Sequence, residues 1–503
     1  MSSNRILSNV DILWRIFQHS DSSQNYHNAL VSKIWSNQAL SILWRTLYSL
    51  LPLLHLLGPM TLASGAKGRP YYKYDRLIRS EDWVVFRRYA WRVRRIENGF
   101  MLPPNFSDSV FTDIIIASRT LSTVELLPNL QSLSSEDALF IQKWIPLFIN
   151  ESLRALDLHV SGPVDMHLLT RTLSYLPHLC PKLQNLSLST EFELDDAPQF
   201  DAALSSLLLL KELVLSSPLL SLSTINTLAH LPYLESFTII SYNMDEESTL
   251  PTMPLSDAFS SLRTFASDTI GFRSIVSFLE AYEPRKLHTL YVYSTSTESH
   301  ATYQSIFAAV TSTCPDIKDI HLQSELVADI EPIADPLLST IPYHLLDLTS
   351  LKLIYPPPLK LDAGCMKALL AALPSLHTLK LLETTGPPTL PLSALSELAP
   401  LCPVMRFLTL YLDTKHVSSS TPPNTIFPCL EVLDVQSSPL ESSARDVATF
   451  LGSVLPLTCV VKHSHYTDGP ERMKWGPVID FLPLIFELRA AKQAFNPITS
   501  SKE

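Results

Sequence analysis

One six-residue pattern recurs along most of this chain and limits what the chain can fold into. In its full form it has an apolar residue first, fourth and sixth. Versions of it occur eleven times, and their first residues stand 24 to 31 positions apart. The copies are LRALDL (153–158), LQNLSL (183–188), LKELVL (210–215), LESFTI (234–239), LRTFAS (262–267), LHTLYV (287–292), IKDIHL (317–322), LTSLKL (348–353), LHTLKL (376–381), MRFLTL (405–410) and LEVLDV (430–435). Such regular spacing indicates a stack of similar structural units.

Each unit is expected to combine a strand with a helix. The alternation within the pattern is that of a short strand whose leucines point into the core. A helical run follows in several copies, for example at 166–176, 274–282 and 444–455. This period and composition are typical of leucine-rich repeats. The sequence therefore predicts an α/β solenoid shaped as a horseshoe, with parallel strands on the concave face and helices on the convex face. Such a fold indicates binding rather than catalysis.

Charge is divided unevenly along the chain, which bears on the kind of partner. The net charge is −11, yet residues 1–95 contain 14 Lys and Arg against five Asp and Glu. The remaining residues are therefore strongly acidic. Because binding to phosphate backbones needs a positive surface, we expect no nucleic-acid partner. A protein substrate, basic or modified, suits the repeats better.

The cysteines and the early apolar stretch indicate an intracellular protein. Cys180, Cys314 and Cys402 each precede proline at equivalent repeat positions, as expected of buried, reduced thiols. The apolar segment 40–63 is interrupted by Arg45 and two prolines, so we expect no membrane-spanning helix. The sequence predicts a cytoplasmic or nuclear location without separating the two.

The first 48 residues do not follow the repeat. Apolar spacing within 10–17 predicts an amphipathic helix capped by Asn9, and apolar-rich stretches at 29–35 and 40–47 predict two more helices. Three short helices bury too little area for a stable core of their own. The predicted organisation is a three-helix module (1–48), a linker (49–79), a solenoid with degraded first repeats and a C-terminal capping helix (80–491), and a polar tail (492–503).

Residues 6–47 resemble an F-box. The matching residues are Leu7, Asp11-Ile12-Leu13, Ile16-Phe17, LVSKIW (30–35) and LWRTL (43–47). Ser8 stands where the family usually has the proline that helps to fix the helix start, so adaptor affinity is expected to be reduced. With the Arg-rich segment 80–96 and the Cys-Pro turns of the repeats, the whole chain resembles the F-box/leucine-rich-repeat proteins abundant in mushroom-forming fungi.

The resemblance implies a substrate-receptor subunit of an SCF-type cullin–RING ubiquitin ligase. The F-box would dock the Skp adaptor and the solenoid would hold a protein substrate. The residues assigned to adaptor binding are Leu7, Ile12, Ile16, Phe17, Leu30, Val31, Trp35 and Trp44. From the residues alone, these side chains also suit a private core folded onto the first repeat. The chain would then be a ubiquitin-independent binding scaffold with a decayed F-box.

One stretch of the predicted concave face stands out as a candidate substrate site. Residues between and just after the last two apolar positions of each strand are expected to point to this face. Aromatic and cationic types, which are favoured at interface hot spots, are concentrated in part of it. The predicted substrate-binding residues are Tyr291, Tyr293, His321, Lys352, Ile354, Lys380 and Tyr411. The two lysines suit an acidic or phosphorylated peptide.

The sequence contains none of the catalytic motifs sought. G-x-S-x-G, the P-loop, G-x-G-x-x-G and H-E-x-x-H do not occur. No residue spacing indicates a metal or another cofactor. We therefore expect that the chain is not an enzyme; the remaining catalytic alternative is a hydrolase that uses a histidine and a serine of the concave face.

Overall fold

A computed structural model describes most of the chain. The described residues are 9–64, 70–97, 105–120, 125–136, 138–161, 165–193, 197–241, 249–296, 298–324, 345–355, 361–383, 388–417, 425–463 and 471–495. The chain divides into two compact units, unit 1 (Met1–Leu234) and unit 2 (Glu235–Glu503).

Three helices open unit 1, and side-chain caps explain where each begins. They are α1 (Val10–Gln18), α2 (Ser22–Asn28) and α3 (Lys33–Leu43). Asn9 caps α1 as predicted, Asp21 caps α2 and Ser32 caps α3, each by accepting a hydrogen bond from a backbone N–H of the first turn. The helices predicted at 29–35 and 40–47 are displaced from those observed. The reason is that the caps at Asp21 and Ser32 start both helices earlier.

The three helices share a small apolar core. Leu13 and Phe17 of α1 and Ala39 of α3 are fully buried, and Trp35 and Ile42 pack against them. The Phe17 and Trp35 rings meet edge to face, with centroids 5.2 Å apart. Helix α1 therefore uses the face that carries Leu13 and Phe17 for its own packing.

The remaining elements of unit 1 alternate between strands and helices. Its strands are β1 (Thr46–Leu47), β2 (Met60–Ser64), β3 (Pro70–Tyr74), β4 (Arg95–Glu97), β5 (Asn105–Phe106), β6 (Ser132–Ser135), β7 (Ala155–Val160), β8 (Asn185–Thr190) and β9 (Glu212–Ser216). Its other helices are α4 (Leu51–Leu54), α5 (Ser80–Ala90), α6 (Asp108–Thr120), α7 (Ala138–Lys143), α8 (Met166–Ser174), α9 (Leu176–Leu179), α10 (Ala197–Ser206) and α11 (Leu222–Ala229). Strands β1, β4, β6, β7, β8 and β9 pair in that order, all parallel.

The parallel sheet of unit 1 begins directly after α3. The carbonyl oxygen of Arg45 accepts hydrogen bonds from the backbone N–H groups of Arg94 and Arg95, both at 2.9 Å. The same arrangement recurs one repeat later, where the Arg94 carbonyl accepts from Gln131 and Ser132. The sheet therefore starts earlier than residue 80, where the sequence placed the beginning of the solenoid.

The segment 49–79 differs from the linker expected there. In its described part, β2 and β3 form an antiparallel hairpin, and β5 pairs with β3. Leu53, Leu54 and Leu57 are buried, and the Tyr74 hydroxyl donates a hydrogen bond to the Leu54 carbonyl at 3.0 Å. The described part of this segment therefore has paired strands and buried leucines, which a linker would not have.

Unit 2 continues the strand-and-helix alternation. Its strands are β10 (Ser236–Ile240), β11 (Thr264–Ser267), β12 (Thr289–Ser294), β13 (Asp319–Ser324), β14 (Ser350–Tyr355), β15 (Thr378–Glu383), β16 (Leu390–Pro391), β17 (Phe407–Thr409), β18 (Leu412–Asp413), β19 (Val432–Asp434) and β20 (Val460–Lys462). Its helices are α12 (Phe272–Tyr282), α13 (His300–Thr313), α14 (Ala363–Ala372), α15 (Leu395–Leu398), α16 (Ala444–Val454) and α17 (Glu471–Phe495). All these strands except β16 and β18, which pair with each other, lie side by side in chain order as a parallel sheet.

Alternation along the strands explains the core of unit 2. One buried residue from each strand of the parallel sheet lines up in register with its neighbours: Phe237, Phe265, Leu290, Ile320, Leu351, Leu379, Leu408, Leu433 and Val461. The helices pack on this side of the sheet, as shown by the stacked rings of Phe265 and Phe278, 4.6 Å apart. The predicted α/β class and the parallel strands are confirmed. We call the opposite side of the sheet the open face.

Helix α17 packs over the last repeat. Its Trp475 is fully buried, and the indole N–H donates a hydrogen bond to the Ser438 carbonyl at 2.7 Å. Val478 and Leu482 are also buried. The predicted closing helix at 478–491 lies within α17. In the part of the chain that the structure describes, no helix is both long enough and apolar enough to cross a membrane.

Candidate functional site

The N-terminal residues predicted to bind an adaptor have different surroundings in the structure. Ile12, Ile16, Leu30 and Val31 are exposed, whereas Trp35 is partly buried. The predictions at Leu7 and Ser8 lie outside the described residues. The predicted set is therefore split between the surface and the interior.

Phe17 and Trp44 do not belong to an exposed face. Phe17 is 1% exposed because it lies four residues after Leu13, on the buried side of α1. Trp44 ends α3 and packs against Tyr89 of α5, with ring centroids 4.7 Å apart. The prediction of an exposed adaptor contact at Phe17 is therefore corrected, and Trp44 contacts the first repeat.

The exposed apolar residues include one that the sequence prediction missed. Leu30 is 71% exposed and Val31 61%, both between α2 and α3, while Ile16 is 50% exposed. Ile12 lies four residues before Ile16 and thus on the same side of α1. Ile34, in the first turn of α3, is exposed as well. The feature of the sequence that could have identified Ile34 is the cap residue Ser32. A helix that begins there carries Ile34 outside the buried stripe formed by Trp35, Ala39 and Ile42. We call Ile12, Ile16, Leu30, Val31 and Ile34 the N-terminal apolar set.

Arg92 connects α3 to the first repeat. Its guanidinium donates to the Asn37 carbonyl at 2.9 Å, to Asn37 Oδ1 at 2.7 Å and to Ser41 Oγ. The side chain is largely buried, and burial lowers the pKa of Arg92. Bonds from one planar cation to three acceptors fix the orientation of α3.

Unit 2 places four of the predicted substrate-binding residues in a single row on the open face. The parallel register aligns Tyr291 with His321, His321 with Lys352, and Lys352 with Lys380. The row continues through Thr409 to Asp434. We call these six residues the central row.

The remaining predicted residues lie beside the row or outside it. Tyr293 and Ile354 are two positions further along their strands, on the same face, and both align with Gln323 between them. Tyr411 follows the end of β17, whose last paired residue is Thr409. Strand β17 ends at Thr409, one residue before the predicted end at 410. The register therefore does not bring Tyr411 to the patch.

His321 is held between an aromatic ring and two cations. The Tyr291 and His321 rings meet edge to face, with centroids 4.5 Å apart. Burial, together with the ammonium groups of Lys352 and Lys380, lowers the pKa of His321 to about 4. The imidazole is therefore neutral near neutral pH, so the positive charge of the row comes from the lysines.

A histidine–serine contact in unit 1 is the arrangement nearest to a catalytic pair. His159 Nδ1 lies 3.1 Å from Ser189 Oγ, on neighbouring strands. Ser189 is only 3% exposed, and its hydroxyl also lies 3.4 Å from the Leu158 carbonyl. A substrate carbonyl has no room to reach this hydroxyl, so the contact supports the strand pairing and offers no nucleophile.

The buried cysteines are in environments that keep them protonated. Burial raises the pKa of Cys180, Cys402 and Cys459 to about 12 and that of Cys314 to about 11. A protonated thiol is a poor nucleophile and metal ligand. Within the described ranges, no group of three or more His, Cys, Asp and Glu is placed to hold a metal ion.

Comparisons with known proteins give distant likenesses among solved structures. No family model and no curated protein matches this chain. Among solved structures, TLR13 in the TLR13–ssRNA13 complex is 16% identical over 69% of this chain, with a TM-score of 0.34. The match covers 47% of the TLR13 chain, about half its length. A structure of the Rad7 and Elc1 complex in yeast is 15% identical over 66% of this chain and 84% of that chain, with a TM-score of 0.35. At these TM-scores neither likeness bears on function.

Proposed function

We propose that this protein is a substrate-receptor subunit of an SCF-type cullin–RING ubiquitin ligase. In this proposal, α1, α2 and α3 form an F-box that docks a Skp-type adaptor. The open face of the unit 2 sheet holds a protein substrate. The chain itself contributes no catalytic residue and needs no cofactor.

The observation that carries the proposal is the N-terminal apolar set. Its five members stay exposed while Leu13, Phe17 and Ala39 fill the core of the same three helices. Burying one aliphatic side chain of this size contributes about 1.5–3 kcal/mol. Concentrating such residues in a module of three short helices is typical of a surface that a partner covers.

The sequence matches to the F-box support a Skp-type adaptor as the partner of these exposed residues. Leu30 and Val31 open the LVSKIW match, and Ile12 and Ile16 belong to the matched first helix. Arg92 and the backbone bonds at Arg45 join these helices to the repeats in unit 1. A receptor needs such a connection, because its adaptor-binding part must not move independently of the repeats.

A second candidate is a binding scaffold that does not take part in ubiquitylation. Phe17, Trp35 and Trp44, three of the residues assigned to the adaptor, are engaged in packing within unit 1. This observation favours an N-terminal cap for the repeats. The two candidates share the repeat surface and differ in whether the N-terminal apolar set has a partner.

Adaptor binding separates the two candidates. We would measure binding of the full-length chain to a purified Skp-type adaptor by titration calorimetry, with Leu30→Asp/Val31→Asp as the test variant. The matched control is Leu77→Asp, which alters a leucine that is 79% exposed and lies outside the three helices. We expect the control to bind like the unmodified chain and the test variant to bind at least about tenfold more weakly. Absence of binding by the unmodified chain would leave the scaffold.

A further inference from the structure

Two adjacent lysines of the central row lack an acidic partner among the residues that the structure describes. Lys352 and Lys380 occupy paired positions of β14 and β15, and paired strands lie about 4.8 Å apart. Both side chains are partly buried. Some other cations of unit 2 do form ion pairs, for example Arg406 with Glu431 at 2.6 Å. Like charges directly opposite each other in a sheet are unfavourable.

Among the described residues, the neighbours of the two lysines along the row do not neutralise them. On one side His321 is uncharged near neutral pH, and its Nε2 is buried without a hydrogen-bond partner in the described part of the chain. On the other side Thr409 separates Lys380 from Asp434, the first acid along the row. Asp319 is in the adjacent row, where it accepts a hydrogen bond from Thr349 Oγ1 at 3.2 Å. In the described part of the chain, the lysine pair is therefore the centre of a small positive site, although the chain as a whole has a net charge of −11.

We infer that Lys352 and Lys380 bind a negatively charged oxygen group on an extended segment of the partner protein. Phosphate and carboxylate share the required chemistry, because both accept charge-assisted hydrogen bonds from ammonium groups. Tyr291 supplies an aromatic contact two strands from Lys352 in the same row. The inference rests on the proposed function, since it takes the open face as the substrate surface, and it names the substrate class as acidic or phosphorylated.

Charge favours a peptide over a nucleic acid as the occupant. A nucleic acid presents a phosphate at every nucleotide, and affinity for it grows with the number of cations that contact it. The central row offers two lysines and then Asp434, which is aligned with Lys462 of the next strand, on a chain of net charge −11. One anionic group flanked by uncharged residues matches this surface, whereas a run of phosphates does not.

Peptide binding to the full-length chain tests the inference. The probes are three synthetic pentapeptides with blocked ends, Gly-Gly-X-Gly-Gly, in which X is phosphoserine, glutamate or serine. The readout is the NMR signal of the His321 ring in protein with labelled histidines, identified by its loss in His321→Gln. We expect the phosphoserine or the glutamate peptide to shift this signal saturably, and the serine peptide to leave it in place. The stronger of the two anionic peptides identifies the source of the charge.

Two double variants show whether the lysines are responsible. In Lys352→Gln/Lys380→Gln we expect at least about tenfold weaker binding. Lys286→Gln/Lys318→Gln removes the same charge from exposed lysines of unit 2 outside the row and should bind normally. The inference is overturned if neither anionic peptide gives a saturable shift, or if the first double variant binds like the second.

Two further measurements keep the inference distinct from its alternatives. Tighter binding of a six-nucleotide DNA strand than of either peptide would overturn the assignment to a peptide. Adaptor binding is measured separately: if it fails while peptide binding succeeds, the ligase role falls and the anion site remains. If adaptor binding succeeds and peptide binding fails, only the anion site falls.

Discussion

Neighbouring residues Ile16 and Phe17 have opposite environments in α1. Phe17 packs against Trp35 and is buried, whereas Ile16 faces solvent. We predict that Phe17→Ala destabilises α1, α2 and α3 by about 3–5 kcal/mol, the usual cost of removing a buried aromatic ring. Ile16→Ala should change this stability by less than about 0.5 kcal/mol. Hydrogen exchange of the amides in 10–43 measures both. Equal exchange in the two variants would contradict this packing.

The lowered pKa of His321 predicts a pH dependence of stability. The pKa of an unfolded histidine is about 6.5, and the pKa of His321 in the folded protein is about 4. Between these values the unfolded chain binds more protons than the folded one, so the contribution of His321 to stability falls as pH drops from about 6.5 to about 4. In Lys352→Gln/Lys380→Gln, the pKa of His321 should rise only part of the way towards its unfolded value, because burial lowers it more than the lysines do. An NMR titration of the ring measures both values; an unchanged pKa in the variant would show that the lysines lie farther from the ring.

Secondary-structure elements could be predicted from the sequence where the residue pattern repeats. They could not be predicted where the packing of one element against another decides which residues are buried. The pattern of apolar residues indicated the strands of the central row and most of their helices. It did not indicate β1, because Thr46 and Leu47 belong to LWRTL, which also suits the end of a helix. It missed the exposure of Ile34 and the burial of Phe17, since both depend on which side of each helix docks. Tyr411 was misplaced because β17 is shorter than its repeat suggests.

The packing of α17 against α16 can be tested by substituting one glycine in each helix. A Cβ added at Gly452 in α16 would clash with the Ile485 side chain of α17, whereas one at Gly476 would meet nothing within 4 Å. We predict that Gly452→Ala costs about 1–3 kcal/mol by overpacking. Gly476→Ala, a matched change within α17, should leave stability unchanged or raise it by up to about 1 kcal/mol, because alanine favours a helix more than glycine does. Thermal unfolding and hydrogen exchange in 471–495 compare the two variants. Faster exchange in Gly476→Ala than in Gly452→Ala would contradict the observed packing of α17.

In the whole chain, composition indicates a class of partner but does not indicate which residues would bind it. The acidic repeats argued against nucleic acid, and the parallel register then placed Lys352 and Lys380 side by side as a local exception. Register follows from the repeat spacing, so the row was predictable. The absence of an acid beside the two lysines among the described residues could not be predicted, because ion pairs form between residues far apart in sequence, such as Arg406 and Glu431.

In the proposed function, a Skp-type adaptor covers the N-terminal apolar set. Hydrogen exchange of the full-length chain with and without the purified adaptor measures this directly. We predict slower exchange in peptides from 9–47, with the strongest effect near Leu30, Val31 and Ile34, and no change around the central row. Protection confined to the repeats, or none at saturating adaptor, would overturn the proposed function and leave the helices as a cap.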